Sequence, residues 1–318
     1  MSRHVVFLDR RAVTVSLRSP AFPHQWQEYP HTSPELTIER LQGAQIAITN
    51  RVAITEAVLD AVPTLELVAV AATGYEHVDV AACQERGVAV CNVRDWSVSV
   101  PEHVFALTLA LRRQLPSYMR AVQQGRWQAS PTYGFLLEPL PITLAGTTLG
   151  IIGHGTLGKQ VAALAQAFGM QTVIAEHRGA PRLRPGRTAF EEVLARSQVL
   201  VILCPLNPST RNLIGTAELV LMRPDALLIN CARGGIVDEA ALAGALLRGE
   251  LGGAGVDVLS QEPPTQGTPL LELDLPNLIL TPHMAFASVQ SIETLAEQLM
   301  GNLEAFVAGQ PRHLVTTA

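Results

Sequence analysis

Short, nearly continuous apolar runs alternate with stretches of helical spacing along the whole chain. In order they are HVVFLD, AQIAITN, ELVAVAATG and VAVCNV, then TLGIIG, QTVIAEH, QVLVILCPL, ALLINCARGG, GAGVDVL and NLILTPH. Such runs fit strands buried on both faces, and the helical pattern between them predicts parallel sheets covered by helices. Two longer amphipathic stretches interrupt the rhythm. SVPEHVFALTLALRRQLPSYMRAV carries Val104, Leu107, Leu111 and Leu115 on one helical stripe, with Pro101 in the first turn, and is expected to cross from a first domain into a second. SVQSIETLAEQLMGNLEAFVAGQ has no strand after it and is expected to return to the first domain. The expected division is a discontinuous domain of residues 1–99 plus 286–318, with about four strands, and a domain of residues 100–285. From Gly125 to Gly146 the periodicity fails, and GRWQASPTYGFLLEPLPITLAG is expected to be an arm packed on something.

Composition narrows the function classes. The 318 residues suffice for two buried cores, and a net charge of −5 with 16% charged residues leaves no basic stripe for nucleic acid or an anionic membrane surface. Runs such as LTLAGTTLGIIG are too short and interrupted to span a bilayer, and MSRHVVFLDRRAVTV enters a strand without the apolar region of a signal peptide. Cys83, Cys91, Cys204 and Cys231 lie in or beside strand-like runs without C-x-x-C spacing, so buried free thiols in a reducing, cytoplasmic compartment are expected. The nine histidines show no metal-ligand spacing, and no metal is expected.

The first candidate chemistry lies in TLGIIGHGTLGKQVAALAQAFGMQTVIAEHR. A short strand, Leu149 to Ile152, ends at Gly153, and Gly155 and Gly158 complete G-x-G-x-x-G. Such glycines serve packing alone in many α/β proteins. Here a helix follows, with Val161, Leu164, Ala165 and Phe168 at helical spacing, and the next strand ends at Glu176, 18 residues beyond Gly158. That context points to a dinucleotide whose pyrophosphate meets the helix N-terminus and whose ribose hydroxyls meet the acid. The acid favours NAD, while the adjacent His177 and Arg178 leave NADP open, since a guanidinium can pair with a 2′-phosphate.

Polar groups recur at later strand ends: Arg233 in NCARGGIVDE, Asp257 and Glu262 in GAGVDVLSQEPP, and His283 in LILTPHMAFAS. Singly, each has a structural reading: Arg233 pairing with Asp238, Glu262 as a loop acid, His283 as a satisfied histidine. Together with ATGYEHVDVAACQERGVAVCN and CPLNPSTRNLIG, in this order, they resemble the D-isomer-specific 2-hydroxyacid dehydrogenases over nearly the whole chain. The resemblance implies a flavodoxin-like substrate domain and a Rossmann NAD-binding domain, both doubly wound parallel sheets, with the active site in the cleft between them. His283 would exchange a proton with the substrate oxygen, Glu262 would orient its ring, and Arg233 would bind the substrate carboxylate and keto oxygen. Thr73 and Gly74 would hold the carboxylate through backbone amides. The cofactor would be lined by Gly153, Gly155, Thr156, Leu157, Gly158, Glu176, His177, Cys204, Pro205, Thr210, Cys231, Asp257, His283 and Ala285, with Asp257 beside the nicotinamide carboxamide.

The implied reaction is hydride transfer between NAD(H) and a small D-2-hydroxy acid or 2-keto acid, glycerate/hydroxypyruvate or glyoxylate, and AEHRGA after the second Rossmann strand resembles the glycerate dehydrogenases and hydroxypyruvate reductases. Glu262 argues against a formate dehydrogenase, and no regulatory domain after the core is expected. Phosphite oxidation, or a non-enzymatic NAD(H)-sensing role, are the alternatives. The arm, with the Leu107/Leu111 helix, is expected to form a homodimer contact.

Overall fold

The computed structural model describes residues 2–94 and 97–316. They form two compact units, Met1–Val98 with Ala287–Ala318, and Ser99–Phe286.

Unit 1 comprises β1 (Arg3–Phe7), β2 (His24–Glu28), α1 (Pro34–Leu41), β3 (Ile46–Thr49), α2 (Glu56–Ala61), β4 (Leu67–Val70), α3 (Val80–Glu85) and β5 (Ala89–Cys91). Its sheet is wholly parallel, in the order β2-β1-β3-β4-β5, the flavodoxin-like arrangement. β3 and β4 are buried along their length, as their unbroken apolar runs require. The sheet has five strands rather than the expected four. The additional strand, β2, reads HQWQE, lies at an edge and buries no residue fully, so it lacks the apolar run that marks the others.

Unit 2 begins with α4 (Val100–Arg112) and α5 (Leu115–Gln123) and continues through β6 (Thr148–Ile152), α6 (Thr156–Ala167), β7 (Gln171–Ile174), α7 (Phe190–Arg196), β8 (Val199–Ile202), α8 (Thr216–Leu221), β9 (Leu227–Asn230), α9 (Glu239–Leu247), β10 (Gly253–Val256) and β11 (Leu278–Leu280). The sheet runs β11-β10-β9-β8-β6-β7, again parallel. An isolated parallel bridge from Ala175 to Thr188 adds the rudiment of a strand outside β7, which completes the 3-2-1-4-5-6 order of dinucleotide-binding sheets through β10, with β11 extending the far side. The chain leaves β6 toward β7 and returns to β8 on the other side, so the end of β6 is the topological switch point where such sheets bind ligands.

One expected helix is two. Gln114 takes a left-handed conformation (φ 54°) just ahead of Leu115 and Pro116, and the chain turns there. Leu107 and Leu111 consequently face unit 2's own core with Leu149, Val161 and Ile229, which removes them from the expected dimer contact, while Leu115 is 47% exposed. The segment from Gly125 to Gly146 contains neither strand nor helix. It packs in part on α5: Leu137 N–H donates to Tyr118 Oη at 3.0 Å and Phe135 lies beside the Tyr118 ring.

The last helix, α10 (Val289–Val307), belongs to unit 1 and lies against β4, burying Ile292, Leu295, Leu299 and Leu303 on one stripe. Among the described residues no helix is long and apolar enough to cross a membrane.

Candidate active site

The glycine loop leaves β6 at the switch point. Gly153 has φ 97°, and a Cβ there would lie 2.5 Å from Cys204 N, so the turn fits closely against the end of β8. A Cβ on Gly158 would lie 2.3 Å from Gly153 O, which fixes how closely α6 can approach its strand. Gly155 differs: nothing lies within 4 Å of the Cβ it lacks. It also caps α6 without a side-chain bond, so the first-turn N–H groups of Thr156, Leu157 and Gly158 are left to an external acceptor. This combination of an open face at the middle glycine and an uncapped helix start fits a pyrophosphate.

At the end of β8, Thr210 Oγ1 donates to Pro205 O at 2.7 Å and accepts from Asn207 N, closing the CPLNPST turn next to the glycine loop. Burial pushes the Cys204 thiol up to about 11 and raises that of Cys231, which keeps both protonated and unsuited to nucleophilic work.

Three adjacent strands supply the polar groups. β9, β10 and β11 end in register at Asn230, Val256 and Leu280, and Arg233, Asp257 and His283 follow within three residues of those ends. Glu262 reaches the same edge through the loop after β10. Its Oε2 lies 2.5 Å from His283 Nδ1, and its Oε1 accepts Leu259 N–H at 2.9 Å. Arg233 is half-buried, and its Nη1 donates to Ala232 O at 2.8 Å. Asp238, a conceivable structural partner for Arg233, caps α9 by accepting from Ala240 and Ala241 N–H.

Two of the expected cofactor residues have partners within the chain. Asp257, expected beside the nicotinamide carboxamide, accepts Thr281 Oγ1 at 2.5 Å and the N–H groups of Met284 and Ala285 at 2.9 Å each. Glu176, expected to be open to ribose hydroxyls, is buried and covered by Arg184, while Arg178 pairs with Glu218 at 3.0 Å. His177 is exposed and donates its N–H to Glu176. Thr73 and Gly74 belong to unit 1, in the loop after β4, where Asn92 Nδ2 donates to Thr73 O at 2.7 Å.

Three contributors escaped the motif reading. Gly234 is compulsory because a Cβ would sit 1.8 Å from Leu259 O; the Arg233 turn thus packs directly on the loop that carries Glu262. Glu239 accepts from Ser260 N–H and Thr268 Oγ1, anchoring the other side of that loop. His103, on α4, lies 3.0 Å from Thr281 Oγ1 and 3.5 Å from Asp257 Oδ1. The repeated glycine in R-G-G signalled the first, but the partners of all three lie far off in sequence.

A dinucleotide sheet with a histidine–carboxylate pair and an arginine at neighbouring strand ends defines a nicotinamide-dependent oxidoreductase. The family model described as D-isomer specific 2-hydroxyacid dehydrogenase, NAD binding domain, matches residues 105–285. The chain is 46% identical to a glycerate dehydrogenase of Methylorubrum extorquens over 317 residues, 99% of each chain. Solved structures similar to it include a D-lactate dehydrogenase from Aquifex aeolicus complexed with NAD and lactic acid (27% identity, TM-score 0.83, 99% of each chain). An NADPH-dependent glyoxylate/hydroxypyruvate reductase from Sinorhizobium meliloti in complex with citrate is also similar (29% identity, TM-score 0.82, 98% of this chain and 97% of that one). The chain belongs to the D-isomer specific 2-hydroxyacid dehydrogenase family and is an oxidoreductase of NAD(P)-dependent hydride transfer on a 2-hydroxyacid.

Proposed function

We propose that the protein interconverts a small D-2-hydroxy acid and its 2-keto acid, with hydroxypyruvate and glyoxylate as the keto substrates. The observation that carries this reading is the 2.5 Å contact between Glu262 and His283 Nδ1. With Nδ1 committed to the carboxylate, proton exchange with the substrate oxygen falls to Nε2, and the ring is held in one orientation for both directions of the reaction. Arg233 is proposed to bind the carboxylate and keto oxygen through its planar fork, which polarises the carbonyl as hydride arrives. Thr73 and Gly74 are proposed as further carboxylate ligands through backbone N–H groups. The nicotinamide, when bound, supplies or accepts the hydride. Gly153, Gly155, Thr156, Leu157 and Gly158 are proposed to hold its pyrophosphate, and Cys204, Pro205, Thr210, Cys231 and Ala285 to line it through strand-end backbone. The glycerate dehydrogenase and glyoxylate/hydroxypyruvate reductase relatives support this choice of substrates.

Steady-state assays with hydroxypyruvate, glyoxylate, pyruvate and phosphite, each with both nicotinamide cofactors, test the reading. The largest kcat/KM is expected for hydroxypyruvate or glyoxylate, and turnover of phosphite alone would overturn it. Arg233→Ala is expected to raise KM for every keto acid by about tenfold or more.

We also propose a homodimer through the arm. Tyr133 is 99% and Leu136 68% exposed, and Leu115 and Met119 on the adjoining α5 add to this apolar surface. A monomeric mass at micromolar concentration would overturn it. Four free buried thiols support a cytoplasmic setting.

A further inference from the structure

The loop after β7 carries more positive charge than a ribose-binding Glu176 requires. From His177 to Phe190 the sequence HRGAPRLRPGRTAF holds Arg178, Arg182, Arg184 and Arg187 and no carboxylate. Arg178 is engaged by Glu218, and Arg187 reaches back toward Ala175 O. Arg184 returns across the strand-end acid itself. Its Nε lies 2.8 and 3.0 Å from the two Glu176 oxygens, its Nη2 also contacts Oε1, and its backbone N–H donates to Oε2 at 3.0 Å. His177 N–H adds a further bond at 2.8 Å. A carboxylate offers about four lone-pair positions, so these donors leave Glu176 no acceptor for a ribose diol. The Arg184 side chain is nevertheless 53% exposed, and its Nη1 has no partner among the described residues.

The strand-end acid marks the ribose 2′ position in this type of sheet. At that position the chain presents a guanidinium edge above a neutralised carboxylate, with the exposed Arg182 two residues away and no acid in the loop. We propose that Arg184 is the residue that admits a 2′-phosphorylated dinucleotide: it masks Glu176, which would otherwise repel the phosphate, and turns its unpaired N–H groups to the phosphate oxygens. The inference rests on the dinucleotide reading of the glycine loop and adds a specificity determinant to it. Arg184 donates to Glu176 through Nε and Nη2 while Nη1 is left to the phosphate, so one fork serves both partners at once. The side-chain bonds from Arg184, assisted by the two backbone N–H groups, hold the Glu176 carboxyl well below the usual carboxylate range, so the acid stays charged and must be masked at working pH.

Calorimetry separates the two readings without relying on turnover. Dissociation constants for 5′-AMP, adenosine 2′,5′-bisphosphate, NADH and NADPH are measured on the wild type, Arg184→Ala and Glu176→Gln. The wild type is expected to bind the bisphosphate at least as tightly as 5′-AMP. Arg184→Ala is expected to weaken the bisphosphate and NADPH by about tenfold or more, while 5′-AMP and NADH hold or tighten because Glu176 is uncovered. In Glu176→Gln the released Arg184 is expected to tighten the bisphosphate. An unchanged bisphosphate-to-AMP ratio in Arg184→Ala, or equal weakening of both ligands, overturns the assignment of Arg184. If none of the four ligands binds the wild type, the dinucleotide reading itself fails and the inference falls with it.

Discussion

Asp257 Oδ2 accepts the backbone N–H of Ala285 at 2.9 Å, and this bond belongs to a set that shapes the loop bearing His283. Oδ1 takes the Met284 N–H and the Thr281 hydroxyl, while the Asp257 carbonyl takes the N–H of His283 at 2.8 Å. His283 itself has φ 52°, a left-handed conformation that a non-glycine residue adopts only when its surroundings impose it. Asp257→Asn presents an amide to donors that need an acceptor, and it is expected to cost about 1–3 kcal/mol of stability. Turnover should fall more than tenfold through the displaced imidazole. Urea unfolding and kcat on the same preparation check this, and wild-type kcat in the variant would remove Asp257 from the positioning of His283.

Backbone strain at His283 dictates which variant isolates its chemistry. Asparagine tolerates the left-handed region better than most residues, so His283→Asn keeps the loop while removing the proton-carrying ring. We expect kcat to fall by at least about a hundredfold, the scale of lost general acid–base catalysis, with NADH binding nearly unchanged. Single-turnover rates alongside NADH titration decide it. Retention of more than about a tenth of the wild-type rate would refute proton exchange at His283.

Gly234→Ala tests whether the Arg233 turn must touch the Glu262 loop. The added methyl would meet three backbone atoms of Leu259 and Ser260, which cannot yield as a flexible side-chain tip can. A loss of about 1–3 kcal/mol is expected. Because the displaced loop carries both Leu259 and Glu262, kcat should fall as KM for the keto acid rises. A change in thermal stability with both constants preserved would show that the contact serves packing alone.

The strands were legible where burial on both faces produced apolar runs, and β2 was not, because HQWQE sits at an edge with alternating partial exposure. The helix from Val100 onward was legible to Arg112; its break at Gln114 depends on one backbone torsion ahead of Pro116, which the hydrophobic stripe does not register. At the site, Glu262 and His283 were legible from motif order, and the structure brings them into contact. The Glu176–Arg184 pair was not. Arg184 lies eight residues beyond the acid across an irregular, glycine- and proline-containing segment, and only the folded course of that loop selects it over Arg178. Contacts such as Gly234 against Leu259 join elements whose separation is set by sheet order, so sequence proximity carries no trace of them.

His77 gives unit 1 a pH dependence whose sign can be worked out. Its Nε2 is buried without a hydrogen-bond partner among the described residues. Burial, with the nearby Arg51 charge, pushes its pKa down to about 4 from an ordinary value of 6.5. The unfolded chain therefore binds the proton more readily than the folded one. The stability contributed by neutral His77 is complete above pH 6.5 and is lost as pH falls toward 4, up to a total on the order of 3 kcal/mol. His77→Gln cannot take up that proton, so its unfolding free energy should fall less steeply than that of the wild type between those pH values, whatever its offset at neutral pH. Urea titrations of both proteins at several pH values across this window give the two slopes. Parallel slopes would mean that His77 is protonated equally in the folded and unfolded chain, and the proposed burial of its neutral form would be wrong.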